Sequence, residues 1–128
     1  MTVVYIALIT IVILTIIYLL MIMPRICGKP SREKLMHHLY AHRGLFDNES
    51  DAPENSMKAF RKAIDYGFGI EMDVQLTKDK VAVVFHDGKL ERMCKVDGKV
   101  GDYTFAELQQ FSLAKSKEKI PLFSDVSK

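Results

Sequence analysis

A histidine and an arginine stand side by side at positions 42 and 43 with a glycine behind them, and a second histidine stands beside an aspartate at 86 and 87. Between the two pairs lie Glu71 and Asp73, separated by one residue. Each of these types suits a definite task. An imidazole exchanges its proton near neutral pH, so His42 and His86 can serve as an acid and a base. Arg43 offers a rigid fork of donors that matches phosphate oxygens. Two carboxylates two residues apart on an extended chain emerge on one face. They suit a hard divalent cation, Mg²⁺ or Ca²⁺, rather than a thiolate-seeking metal. Together the cation and Arg43 would neutralise a phosphate and the charge developing on it. One imidazole would take a proton from a nucleophile, and the other would give one to the leaving alkoxide. That is the equipment for cleaving a phosphodiester. Plain structural alternatives stand beside it: solvent-facing strand acids at 71 and 73, satisfied core histidines at 42 and 86, and a salt bridge from Arg43 to Glu54 or Asp47. His37 and His38 lie at the other end of the first strand and read as structural or surface residues. No glycine-rich phosphate loop is present, so nucleotide hydrolysis by a P-loop is not indicated.

The elements that must position these groups follow from hydrophobic spacing. Residues 38–42 read as a short strand running into Gly44, and residues 47–53 read as a loop. Pro53-Glu54-Asn55 then opens a helix with Asn55 as its N-cap, placing Met57, Phe60 and Ile64 on one face beside Ala59 and Ala63. Gly67 stops it. Over residues 69–77 apolar and polar residues alternate, which makes the segment extended. A turn at 78–80 leads to Val81-Ala82-Val83-Val84-Phe85, apolar without alternation and therefore a strand buried on both faces. Thr104 and Glu107 form a capping pattern for a helix over 102–111, and residues 120–126 open another. Strand, helix, strand, strand, helix points to a parallel α/β sheet with its polar groups at the carboxyl ends of strands, where such folds build their sites. The thirteen steps from Asp73 to His86 are too few for a helical crossover and a strand. An extended return or an antiparallel hairpin fits, and either brings the two residues to the same end.

The chain of 128 residues carries a net charge of +2. Residues 2–23 contain no charged side chain and, as a helix, reach about 33 Å, enough to cross a bilayer's hydrocarbon core. A signal peptide would need a basic leader, a shorter apolar run and a small-residue cleavage site, and none is evident. The expectation is one transmembrane helix over residues 1–23, a basic juxtamembrane linker over 24–38 and an α/β domain over 39–128. Arg25, Lys29, Arg32 and Lys34, against the single acid Glu33, place the soluble part in the cytoplasm and make the chain a single-pass membrane protein. No basic stripe interleaved with aromatics follows, so nucleic acid is not the partner. Cys27 and Cys94 have neither zinc nor disulfide-framework spacing, and a cytosolic domain keeps both reduced.

The ordered set His42-Arg43-Gly44, Pro53-Glu54-Asn55, Glu71-x-Asp73, Thr77-Lys78-Asp79 and His86-Asp87 resembles the glycerophosphodiester phosphodiesterases. The trailing pattern agrees: Leu90 and Arg92, Gly98-x-Val100, Asp102, Thr104, Glu107-Leu108 and Ile120-Pro121. The resemblance runs from Tyr40 to Val126. It implies a TIM (β/α)8 barrel of the PLC-like phosphodiesterase type, of which this chain is the N-terminal part. It implies cleavage of glycerophosphodiesters, such as deacylated phospholipids, to glycerol 3-phosphate and an alcohol, with the substrate's own glycerol hydroxyl as nucleophile. By position His42 and His86 would be the acid–base pair, Arg43 the phosphate ligand, Glu71 and Asp73 the metal ligands, and Glu54 a residue behind the site or on its phosphate side. Arg92-Met93-Cys94 replaces the family's Arg-Thr-Thr, a departure that removes no site residue.

A barrel of this type needs roughly 250 residues. The family's third metal carboxylate and a lysine near the site lie on later strands. The expectation is an incomplete domain that binds metal weakly and turns over poorly alone. Two other outcomes follow from the same residues: a related phosphodiesterase acting on lysophospholipids or sphingolipids, and a membrane-tethered fragment or regulatory module without catalysis.

Overall fold

The computed structural model describes residues 1–24, 32, 33 and 35–127. The chain forms two compact units, Met1–Met36 and His37–Lys128. Arg25, Lys29 and Lys34 of the basic flank, most of the linker and Cys27 lie outside the described residues.

In the first unit, α1 (Thr2–Ile22) is a single helix of 21 residues with no buried side chain and a mean hydropathy of 2.9. It is long and apolar enough to cross a membrane. Two of its threonines are satisfied inside the helix: Thr10 donates to the Ile6 carbonyl at 2.9 Å and Thr15 to that of Ile11 at 2.8 Å. Neither of these mid-helix hydroxyls therefore needs water.

In the second unit, β1 (Tyr40–His42) pairs in parallel with β2 (Gly69–Glu71) through the connecting helix α2 (Met57–Asp65). The expected N-cap moves by one residue. Ser56, not Asn55, caps α2, its hydroxyl accepting from the Ala59 amide at 3.1 Å. Asn55 instead takes a left-handed φ of +56° that turns its side chain toward the site. Ala59, Phe60 and Ala63 form the buried face of α2, and Ile64 lies outside it. The hydrophobic stripe is narrower than the spacing suggested.

The alternating segment over 69–77 is two strands. β2 ends at Glu71, and β3 (Val74–Leu76) pairs antiparallel with β4 (Ala82–Val84). The break arises because the chain changes partners. The Glu71 carbonyl accepts from the Arg43 amide at 3.0 Å, whereas the Asp73 carbonyl accepts from Phe85 at 2.9 Å. Of the two routes the spacing allowed, the hairpin is the one formed, so the described strands make not one parallel sheet but two separate pairs, β1–β2 parallel and β3–β4 antiparallel. Alternation in β3 also runs opposite to its polarity. Val74 and Leu76 are exposed, while the Gln75 amide turns in and donates to the carbonyls of Phe85, His86 and Asp87 at 3.0, 3.1 and 2.8 Å.

β4 is the buried strand its composition called for, with Val83 and Val84 fully covered. Val83 and Phe85 pack with Leu90, Val100, Leu108, Leu113 and Ile120 into one hydrophobic core. Around it lie three short helices, α3 (Glu91–Cys94), α4 (Phe105–Leu108) and α5 (Phe123–Val126), with a 3₁₀ turn at Val100–Asp102. Thr104 and Glu107 form the expected capping box at α4, and α3 is an element the sequence pattern had not signalled. Cys94 is buried in this core, and burial pushes its thiol up to about 11, so it is inert at neutral pH.

Gly44 explains the third residue of His-Arg-Gly. It has φ +85°, and a Cβ there would meet the Ala59 carbonyl carbon and Cβ at 2.9 Å and Phe60 Cδ1 at 3.0 Å. Gly44→Ala is expected to cost about 3 kcal/mol, combining the left-handed penalty with overpacking. Thermal unfolding of the variant against the parent measures it.

Candidate active site

Arg43 is the junction of the site. Its own φ is +59°, in the left-handed region, and this aims its amide at the end of β2. The amide donates to both the Glu71 carbonyl, at 3.0 Å, and Glu71 Oε2, at 3.2 Å. Its carbonyl accepts from the Asn55 amide at 2.9 Å, so two adjoining loops are locked by two residues that each carry positive φ. A bulky residue holds that conformation only when its surroundings enforce it, and such strain concentrates at sites that bind or react.

The guanidinium reaches the other groups. Arg43 Nη1 donates to Glu54 Oε1 at 3.0 Å, and Nε lies 3.6 Å from Asp73 Oδ2. That Nε is buried without a hydrogen bond. Asn55 Nδ2 donates to the same Asp73 oxygen at 3.2 Å, while Asn55 Oδ1 is buried and unpartnered. Glu71 Oε2 lies 3.9 Å from His42 Nε2, and both side chains are largely exposed. Arg43 thus gathers Glu71 by its backbone and Asp73 by its side chain, although the two carboxylates belong to different ladders. The salt bridge to Glu54 that served as the plain alternative for Arg43 is present, and it coexists with these contacts.

Glu54 is buried and saturated. Besides Arg43 it accepts from Asn48 Nδ2 at 3.0 Å and from Arg92 through Nη1, also at 3.0 Å, and Nη2. Burial pushes its carboxyl up, but the hydrogen bonds and charge of Arg92, Asn48 and Arg43 outweigh that and hold it at about 2. Arg92 continues the chain of contacts to Asp87, donating from Nε to Oδ2 at 2.6 Å and from Nη2 to Oδ1 at 2.9 Å. Asp87 Oδ1 lies 2.7 Å from His86 Nδ1. Arg92 holds the Asp87 carboxyl at about 2, against the opposing effect of burial and with help from His86. An ionised Asp87 only accepts, so the His86 proton sits on Nδ1 and Nε2 is left for other work.

The sequence residues therefore meet in one connected network, His42–Glu71–Arg43–Glu54–Arg92–Asp87–His86, with Asp73 attached at Arg43. Four residues in or against this network escaped the sequence reading as site residues: Asp87, Arg92, Asn55 and Gln75. The aspartate, arginine and asparagine carried a signal, since all three fall inside patterns already noted. Gln75 carried none.

Two groups of donors bear on a cation. Among the described residues, Glu54, His86 and Asp87 bring ligating atoms within 4.8 Å of one another. Those carboxylate oxygens are already bound and neutralised by guanidinium groups, so a cation would have to displace Arg92. Glu71 and Asp73 are the second group, and neither carboxylate is paired with Arg92. Glu71 Oε2 accepts one backbone N–H, and the unpartnered Asn55 Oδ1 lies on the side chain that holds Asp73. All these donors are oxygens, the set a hard divalent cation takes.

The chain is similar to several known proteins. An enzyme named glycerophosphodiester phosphodiesterase from Bacillus altitudinis is 49% identical over 76 residues, which are 59% of this chain and 30% of that protein. The uncharacterized protein YqiK of Bacillus subtilis is 41% identical over 98 residues, covering 71% of this chain and 39% of its own length. The chain thus spans about a third of the curated relatives it matches. Among solved structures, a glycerophosphoryl diester phosphodiesterase from Parabacteroides distasonis superposes with a TM-score of 0.62 at 39% identity, over 69% of this chain and 32% of that one. An Oleispira antarctica phosphodiesterase in complex with the product sn-glycerol-3-phosphate gives a TM-score of 0.65 at 30% identity, over 76% and 41%. These neighbours are TIM-barrel proteins, and the partial α/β unit seen here is a portion of that fold. The sequence profile of the glycerophosphoryl diester phosphodiesterase family matches residues 42–128, most of the chain, and the chain belongs to that family.

Proposed function

We propose that these residues form the phosphate- and metal-facing part of a site that hydrolyses glycerophosphodiesters to glycerol 3-phosphate and an alcohol. The observation that carries this is the position of Arg43, which gathers Glu71, Asp73 and Glu54 at once. Glu54 engages Arg43 through Nη1 and Nε lies against Asp73, so Nη2 is the donor left to bind a phosphate oxygen. His42 and His86 act as the acid–base pair. One receives the proton of the glycerol hydroxyl as its oxygen bonds to phosphorus, and the other gives a proton to the leaving alkoxide; water then opens the cyclic phosphate, with the two proton transfers reversed, to give glycerol 3-phosphate. Asp87 fixes the imidazole of His86 in the form that leaves Nε2 available. Glu71 and Asp73 would hold a divalent cation, Mg²⁺ or Ca²⁺, which when bound supplies positive charge to the phosphate. The product seen in the Oleispira antarctica structure supports glycerol 3-phosphate as one product.

Helix α1 favours a second reading of the substrate. A membrane-held site meets lipid-derived diesters, so lysophospholipids or sphingolipids stand beside water-soluble glycerophosphodiesters. The same helix would make this a single-pass membrane protein, with the catalytic unit over 39–128 on the cytoplasmic side and residues 24–38 as its tether.

The test is a chimaera in which residues 37–128 replace the matching segment of the Bacillus altitudinis relative. It is assayed for glycerol 3-phosphate release from a panel of diesters, with divalent cation and with chelator. Cation-dependent release from glycerophosphodiesters is expected. A folded chimaera that releases nothing from any diester would mean a binding or regulatory module instead.

A further inference from the structure

We propose that Arg92 is a positioning residue of this site: through Asp87 it sets the tautomer and orientation of His86, and through Glu54 it fixes the guanidinium of Arg43. The inference deepens the hydrolase reading and rests on it for the roles of His86 and Arg43. The geometry itself is independent of those roles.

Arg92 sits at the centre of a charge-balanced row. Arg43 and Arg92 alternate with Glu54 and Asp87, and His86 ends the row. Its fork is shared between two carboxylates that come from distant parts of the chain. Nη1 and Nη2 serve Glu54, and Nε and Nη2 serve Asp87. No other described hydrogen bond joins the Pro53-Glu54-Asn55 loop to the His86-Asp87 loop. A planar guanidinium can do this because its donors lie in one rigid plane, whereas an ammonium is a point donor. Arg92 is itself anchored. It lies within the single turn of α3, its carbonyl accepts from Lys95 Nζ at 3.0 Å, and the neighbouring Met93 and Cys94 are buried in the core. The hydrophobic core therefore fixes α3, α3 fixes Arg92, and Arg92 fixes both loops. Gln75 holds the main chain of the same His86-Asp87 segment through three carbonyls, so the backbone has its own support. What Arg92 adds is the orientation of the Asp87 carboxylate, whose Oδ1 receives both His86 Nδ1 and Arg92 Nη2. Without the guanidinium this carboxylate is free to turn, and His86 loses the acceptor that selects its Nδ1–H form.

The test reads the tautomer directly. The full chain, labelled with ¹⁵N-histidine and held in detergent micelles, is examined by long-range ¹H–¹⁵N correlation at neutral pH, with the His86 signals assigned from a His86→Ala sample. In the parent, Nδ1 of His86 should carry the proton. In Arg92→Met the Nδ1–H share should fall about threefold or more, with amide dispersion and core methyl signals unchanged. A folded Arg92→Met chain with the parent tautomer overturns the proposal. Should that variant not fold, Arg92→Lys replaces it. It keeps charge and stem but cannot serve both carboxylates, so it should lose much of the Nδ1–H share, and a folded Lys variant with the parent tautomer overturns the proposal equally. Neither reading needs turnover. A tautomer that shifts in a chain whose chimaera hydrolyses nothing refutes the hydrolase reading alone. An active chimaera with an unshifted tautomer refutes this one alone.

Discussion

His86→Ala and His42→Ala, each introduced into the active chimaera, are expected to lower the rate of glycerol 3-phosphate release by about 10³-fold, within the range for removing one general acid or base. Stability should barely change, because both rings are substantially exposed and neither fills the core. Surface substitutions of that kind usually stay within about 0.5 kcal/mol. The combination is diagnostic: a large loss of rate with an unchanged unfolding midpoint marks a residue that handles protons, not one that supports the fold. The double variant should lose little more than the worse single one, since groups that act as a unit in one transfer are strongly non-additive. Steady-state rates and thermal unfolding of the three variants check this. Two rings serving only as surface residues would leave the rate unchanged.

Glu54→Ala has the opposite signature. Glu54 is 4% exposed and is the common acceptor for Arg43, Arg92 and Asn48. Its removal leaves the well-covered Arg43 guanidinium without its main counter-charge. Breaking such a pair by deleting one partner is expected to cost about 3 kcal/mol. Glu54→Gln keeps a carbonyl acceptor and should cost less. The effect has a pH signature whose sign is fixed by the depressed acidity. The Glu54 carboxyl is held at about 2 instead of its ordinary 4.5, and that of Asp87 at about 2 instead of 3.8. A group depressed in the folded state stabilises above its unfolded pKa, and the contribution disappears as pH falls toward the folded one. The parent should therefore lose stability as pH drops from about 4.5 to about 2. The gap between parent and Glu54→Ala, widest near neutrality, should narrow over the same window. Urea unfolding followed by tyrosine fluorescence at several pH values measures both.

The groups proposed to act on substrate were the legible part of this site. Histidine, arginine and paired carboxylates announce their chemistry by type, and their places at strand ends follow from hydrophobic spacing. The residues that hold them were harder to read. Arg92 stood in the sequence as part of a trailing pattern, and its value appears only once α3 packs on the core and faces two loops. Gln75 sat on what looked like the solvent face of one long alternating strand. The strand breaks after Glu71 because the chain leaves its parallel partner for a hairpin, and a period-two pattern does not record a change of partner. Asn55 looked like a helix cap because asparagine favours that position. It gave up the cap to Ser56 and took a left-handed turn, which asparagine also favours, to reach Asp73.

The most direct measurement of whether these groups converge is the coupling between cation and phosphate on the 128-residue chain itself. sn-Glycerol 3-phosphate is titrated into the chain in detergent micelles by calorimetry, in Ca²⁺ or Mg²⁺ and again with chelator. If Glu71 and Asp73 hold the cation beside the phosphate-binding fork of Arg43, each ligand should tighten the other by the same factor, about tenfold or more. Arg43→Met should abolish the coupling. Equal affinity with and without the cation would mean that the carboxylate pair and Arg43 serve no common phosphate, and the proposed site would not exist.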